Sequence, residues 1–248
     1  MPELWQHEIA EGGHRILNPL SEDKLRLLEE VVRTGPGLRM LDLACGKGEM
    51  LGRWAAGGDV SGVGVDISEV FLAAARERAA ELGVAGRVEF VHGDAGRYRA
   101  RERFDVVSCI GATWIGGGLA GTLELMRSAA TPDGLLLVGE VFWNEDPPEA
   151  AYEALGLGRG DFATLAGTLE RFEAAGVELV EMVLAGADDW DRYMASQWWT
   201  VHQWLKAHPD DPRAPEMRRF ADQARRSHLA YGRRYLGWGV FVLRPEPA

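Results

Sequence analysis

The sequence predicts an α/β protein built on one doubly wound, mostly parallel sheet. Three observations carry the prediction. Short β-rich runs alternate with helical stretches over residues 39–142, the first run ends in a glycine turn that opens a helix, and the composition suits one ordinary globular core. The 248 residues are 46% hydrophobic and 26% charged, enough chain to bury one sizeable core with a small appendage.

Leu25, Leu27, Leu28, Val31 and Val32 recur at near-helical spacing behind Ser21, a favoured N-cap residue, and Gly35-Pro36-Gly37 stops the run. An amphipathic helix therefore precedes the core. Residues 39–44, 60–65, 87–92, 104–110 and 135–142 have strand character, and 49–56, 68–82 and 119–130 have helical character. Strands separated by helices pair in parallel through right-handed crossovers, which cover both faces of the sheet. The acidic, proline-containing run 144–148 breaks regular structure; a helix over 162–175, a strand over 177–184 and a final strand over 238–243 follow. Between those two strands a long segment holds Trp190, Tyr193, Trp198, Trp199 and Trp204 and then several arginines, which predicts a helical insertion with Pro209, Pro212 and Pro215 in the loop between two helices. The expected organisation is a helical N-terminal flap (1–35), a core (36–184), a helical insertion or lid (185–236) and the last core strand (237–248).

Charge and cysteine usage narrow the function. A formal net charge of −11 opposes attraction to phosphate backbones, so nucleic acid is not expected as a partner. No segment approaches the roughly 20 continuous apolar residues of a membrane span. Residues 1–20 carry Glu3, His7, Glu8, Glu11, His14 and Arg15 and lack the apolar run of a signal peptide. Cys45 and Cys109 show no paired spacing, so neither a metal site nor a disulfide framework is expected, and a reducing cytoplasm fits. Monomer and homo-oligomer are equally compatible with the sequence.

The chemistry concentrates in Leu41-Asp42-Leu43-Ala44-Cys45-Gly46-Lys47-Gly48-Glu49-Met50, where an apolar strand enters a glycine turn and then a helix. Small residues let a ligand approach backbone amides, and the helix N-terminus favours negative charge. The third glycine of a G-x-G-x-x-G dinucleotide fingerprint would fall at Leu51, which argues against a nicotinamide site.

Asp42 with this turn resembles motif I of class I S-adenosylmethionine (SAM)-dependent methyltransferases, an acidic residue followed by G-x-G-x-G, with Ala44 in place of the first glycine. Asp66, closing the second strand in Gly64-Val65-Asp66-Ile67-Ser68, matches the family acid that receives both ribose hydroxyls; a carboxylate accepts two hydrogen bonds at once. Asp94, in His92-Gly93-Asp94-Ala95, matches the acceptor of the adenine amino group. Phe104-Asp105-Val106-Val107 and Pro132-Asp133-Gly134-Leu135 resemble the fourth strand and the turn into the fifth. Beyond the shared core, the chain is similar to uncharacterised bacterial methyltransferases of the YjhP type. His14-Arg15, Asn18-Pro19, Gly111-Ala112-Thr113-Trp114-Ile115, Trp190-Asp191-Arg192-Tyr193 and Gly237-Trp238-Gly239-Val240-Phe241 carry that similarity.

The resemblance implies a Rossmann-like sheet of seven strands in the order 3-2-1-4-5-7-6 with the last antiparallel. It implies SAM as cofactor, S-adenosyl-L-homocysteine as product and no metal. Asp42, Ala44, Gly46, Gly48, Asp66, Ile67, Asp94, Ala95 and Ile110 would hold the cofactor: methionine at the glycine turn, ribose at Asp66, adenine at Asp94 and Ala95.

A small-molecule acceptor is expected. The Asn/Asp-Pro-Pro-aromatic motif of adenine-amine DNA methylation is absent from residues 110–114, and Cys109 follows Ser108 within a strand rather than a proline. Methyl transfer depends chiefly on alignment and water exclusion, and such positioning is worth on the order of 7–11 kcal/mol in model systems. His14 on the flap and Glu140 near the end of the fifth strand are the candidate bases; the plainer alternatives are a structural hydrogen bond for His14 and support of the acceptor for Glu140. Trp114, Trp143 and Tyr193 are the candidate acceptor pocket, whereas the other insertion tryptophans are expected to pack the insertion on the core. Arg218, Arg219, Arg225, Arg226, Arg233 and Arg234 suggest a solvated helical face or, alternatively, a hold on an anionic acceptor. Two rival functions are a non-catalytic SAM-binding module and a nicotinamide-dependent oxidoreductase.

Overall fold

Two helices, α1 (Leu4–Ala10) and α2 (Glu22–Val32), precede the sheet in the computed structural model, which describes residues 4–246. Ser21 caps α2 by accepting the Lys24 N–H, and Leu25, Leu28 and Val32 turn one stripe of the helix inward. The alternation then becomes β1 (Arg39–Leu43), α3 (Glu49–Gly58), β2 (Ser61–Asp66), α4 (Glu69–Glu81), β3 (Val88–His92), β4 (Phe104–Ile110), α5 (Leu119–Ala129) and β5 (Ala130–Trp143). After it come α6 (Glu149–Leu155), α7 (Leu165–Ala174), β6 (Val177–Leu184), α8 (Ala187–Ala207), α9 (Ala214–Ser227) and β7 (Leu236–Pro245).

The seven strands lie in the order β3-β2-β1-β4-β5-β7-β6, as the family resemblance implied, with β7 antiparallel to both of its neighbours. Alternation along each strand supplies two cores. Leu41 and Leu43 of β1 face Val107, Leu123 and Phe241 on one side, while Met40 faces Leu28, Leu51, Trp54 and Trp238 on the other. Asp42 shares the Met40 side and is the polar exception in β1.

Two departures from the sequence expectations have local causes. Residues 149–155 form α6, hidden behind two prolines; Pro148 is its N-cap, where a missing N–H costs nothing, and Ala151 and Tyr152 are buried. Pro215 lies in the first turn of α9 instead of the interhelical loop, for the same reason. The insertion is the expected helix pair, and α1 packs on it through Ala10, Val201 and Met217.

Candidate functional site

β1 ends in a turn whose backbone is left-handed at Ala44 (φ 58°), Gly46 (φ 54°) and Gly48 (φ 63°). Ala44 carries a side chain where glycine would be free of strain, at a cost of about 1–2 kcal/mol. A Cβ on Gly48 would sit 2.5 Å from the Phe90 ring, and one on Gly46 would sit 2.6 Å from Leu17 Cδ1. The turn is thus pressed between β3 and the flap. Asp66 stitches it to β2: the Gly46 N–H donates to Oδ2 and the Ser68 N–H to Oδ1, each at 2.8 Å. Burial pushes the Asp66 pKa up, and the two backbone donors act against that rise.

Asp42 is buried at the base of the turn, where it accepts the Ser108 hydroxyl at 2.6 Å. Desolvation raises its pKa to about 7. Lys47, between the two glycines, reaches up instead of down. Its Nζ donates to the carbonyls of Glu11 (2.7 Å), Gly12 (3.1 Å) and His14 (2.7 Å), which pins the chain leaving α1 above the turn. Replacing Lys47 by Met should speed amide exchange over residues 11–20 by about tenfold or more while hardly moving the global melting temperature. Unchanged protection there would show that the lysine does not hold the flap.

Above the carboxyl ends of β1, β2, β4 and β5 lies a cavity of about 680 Å³, where open α/β sheets place their ligands. Asp42, Ala44, Gly46, Asp66, Ile67, Asp94, Ala95 and Ile110 line it; Gly48 does not, because it faces Phe90 behind the turn. Asp94 is exposed and caps the short turn Ala95–Arg97 by accepting the Gly96 N–H at 2.9 Å. Glu140 lines the far side with only 8% of its surface exposed, accepting the Thr113 hydroxyl at 2.7 Å and the Val141 N–H at 3.1 Å. Burial raises the Glu140 pKa, opposed by those two donors. Trp114 stands at the rim, 58% exposed, and Tyr193 hangs into the cavity from α8.

His14 does not line the cavity. Its Nδ1 lies 3.0 Å from Glu11 Oε2, its Nε2 is hydrogen-bonded to the Ser196 hydroxyl, and its ring leans on Tyr193. Glu11 also accepts from the Tyr193 hydroxyl and from Gln197, so His14 belongs to a polar knot joining flap and insertion. Trp143 also lies off the cavity wall. It is buried against Tyr152 of α6 and Phe162, because α6 covers the end of β5. Trp190, expected to pack the insertion on the core, does so and also lines the cavity with Phe162 and Trp238. Arg233 is paired with Asp191 and Arg234 with Glu145. Glu11 and Lys47 were missed by sequence reasoning. Lys47 had a signal in its place between the glycines, and Glu11 had none.

Cys45 and Cys109 are free thiols, and burial raises both pKa values. Among the described residues no group of three or more His, Cys, Asp or Glu is arranged to hold a metal ion, and no helix is long and apolar enough to cross a membrane.

The residues present fit a SAM-type cofactor: a left-handed glycine turn that lets backbone amides face the cavity, and two buried carboxyl groups beside it. Comparison with known proteins agrees. A methyltransferase-domain family model matches residues 34–197. The Escherichia coli protein YjhP is 46% identical over 237 residues, which cover 95% of this chain and 96% of YjhP; its X-ray structure superposes with a TM-score of 0.94, covering 97% of this chain and 99% of that one. A SAM-dependent methyltransferase from Geobacter sulfurreducens, crystallised with S-adenosyl-L-homocysteine, is 44% identical with a TM-score of 0.95 over 99% of both chains. With glycine turn, strand-end acids, sheet order and near-full-length relatives in agreement, the chain belongs to the SAM-dependent methyltransferases.

Proposed function

We propose that the enzyme methylates a small molecule enclosed between the sheet edge, the flap and the insertion. The cavity carries this reading: one volume is lined by the glycine turn, Asp66 and Asp94, by Glu140 and aromatic side chains, and by residues of the flap and α8. When bound, SAM supplies an electrophilic methyl group on a sulfonium. The glycine turn would cradle the methionine portion, Asp66 the ribose hydroxyls and Asp94 with Ala95 the adenine. Asp42, a buried carboxyl group with a pKa of about 7, would be held in its ionised form by the cationic end of the cofactor and favour it in turn. The flap and α8 exclude water from the reacting atoms, and the aromatic walls and Glu140 orient the acceptor. The net charge of −11 supports a reaction on metabolites rather than on nucleic acid, and two unpaired thiols support action in the cytoplasm.

Calorimetric titration with S-adenosyl-L-homocysteine, followed by a mass-spectrometric search of cell extract for SAM-dependent mass gains of one methylene, tests the reading. Saturable binding with a methylated metabolite below roughly 1 kDa is expected for a pocket of this size. Methylation confined to nucleic acid or to protein would overturn it.

A further inference from the structure

The cavity has aromatic walls, Trp190 and Tyr193 of α8, Trp238 of β7 and Phe162, and the Glu140 carboxyl from the end of β5 lines it with them. Glu11, which also lines the cavity, is taken up by the Tyr193 hydroxyl and Gln197. Among the described residues Glu140 forms no ion pair; the Thr113 hydroxyl and the Val141 N–H are its hydrogen-bond donors. Of the basic groups lining the same cavity, Lys47 is bonded to the flap carbonyls, Arg15 lies beside Glu81, and burial lowers the His7 pKa. Arg171, outside the lining, acts on Glu140 without pairing to it, its guanidinium bonded to the Gly160 and Asp161 carbonyls. Arg233 and Arg234 are held by Asp191 and Glu145. Ring walls around a carboxyl group to which no cation is paired disfavour an anionic acceptor and suit a cation on an apolar body.

We propose that the acceptor is a primary or secondary amine on a compact apolar body, bound as its ammonium with an N–H on Glu140 and the charge against the ring walls. This rests on the reading of the cavity as the site of methylation. An ammonium has no lone pair to give, so one proton must leave first. It passes to Glu140: R–NH3+ and the carboxylate become R–NH2 and the carboxylic acid. Burial already favours that protonated form. The freed nitrogen pair forms the new N–C bond while the C–S pair stays on sulfur, which accounts for every electron. Glu140 is then a catalytic residue that both recognises the acceptor and takes its proton.

The test uses the full-length protein saturated with S-adenosyl-L-homocysteine and three matched probes: 2-phenylethylamine, 2-phenylethanol and phenylacetate. Butylamine and tryptamine vary the size of the amine body. The amines that fit should bind about tenfold or more tighter than the alcohol, with phenylacetate weakest. Glu140→Gln should bring amine and alcohol to within about twofold of each other while keeping the parent affinity for S-adenosyl-L-homocysteine. Should that variant fail to fold, Trp190→Leu serves instead, and it should weaken the amine about tenfold with little effect on the alcohol. Equal binding of amine and alcohol by the parent, tighter binding of phenylacetate, an amine preference that survives in Glu140→Gln, or no amine binding by a protein that binds S-adenosyl-L-homocysteine would each overturn the inference. Absence of S-adenosyl-L-homocysteine binding would sink the underlying assignment of the cavity, a distinguishable result.

Discussion

Changing Asp66 to Ala should weaken S-adenosyl-L-homocysteine binding by about two to four orders of magnitude, read by calorimetry, with the sheet still folded by circular dichroism. Two losses combine. The carboxylate would accept the ribose hydroxyls, and hydrogen bonds to a charged group are worth about 1.5–3 kcal/mol each; two of them correspond to about 10²–10⁴ in affinity at about 1.4 kcal/mol per decade. The same carboxylate holds the Gly46 N–H and the Ser68 N–H, so its removal also loosens the turn and the start of α4. Asp66→Asn keeps one acceptor oxygen and should fall between parent and Ala. A change below about threefold in Asp66→Ala would place the ribose elsewhere.

Asp42 should behave in the opposite way toward stability. In the unfolded chain this carboxyl ionises near 3.8, and in the native protein burial holds its pKa at about 7. Because the native value is the higher one, its contribution is fully favourable below about pH 4 and is lost as pH rises toward 7. Above that range the native state carries an ionised, desolvated group at a cost of roughly 4 kcal/mol. Asp42→Asn, whose amide oxygen still accepts the Ser108 hydroxyl, should therefore melt about 5–10 °C higher than the parent at pH 8 and at nearly the same temperature at pH 4. Its affinity for SAM should fall, since the anion that favours the cationic cofactor is gone. A variant less stable than the parent at pH 8 would mean that the Asp42 carboxylate is not a stability cost. The comparison separates a residue kept for binding from one kept for folding.

The parallel sheet was legible because its strands are nearly continuous apolar runs with helices between them, and strand-end acids such as Asp66 and Asp94 stand where the chain must turn. The glycine turn was legible for a steric reason, a left-handed backbone at Gly46 and Gly48 where a Cβ would meet Leu17 and the Phe90 ring. What stayed hidden depends on long-range docking. Glu11 and Tyr193 are 182 residues apart in sequence, and no local pattern announces that the tyrosine hydroxyl donates to that carboxyl group. His14 looked like a candidate base for its position on the flap; the structure keeps it off the cavity lining, with Nε2 on the Ser196 hydroxyl and Nδ1 beside Glu11. Trp143 looked exposed to the ligand edge only while α6 went unseen behind Pro147 and Pro148. Trp190 packs on the core as expected and also lines the cavity, a second contact that periodicity alone does not announce.

The direction of β7 has a consequence for how such a protein diversifies. Because β7 runs against β5 and β6, the insertion leaves from Leu184 and re-enters at Leu236, two points at the same rim of the sheet. Residues between them can lengthen, shorten or change chemistry without shifting the register of any strand. The part of the acceptor wall carried by α8, Trp190 and Tyr193, is therefore mechanically free to vary, while Glu140 and Trp238 stay fixed on the strands.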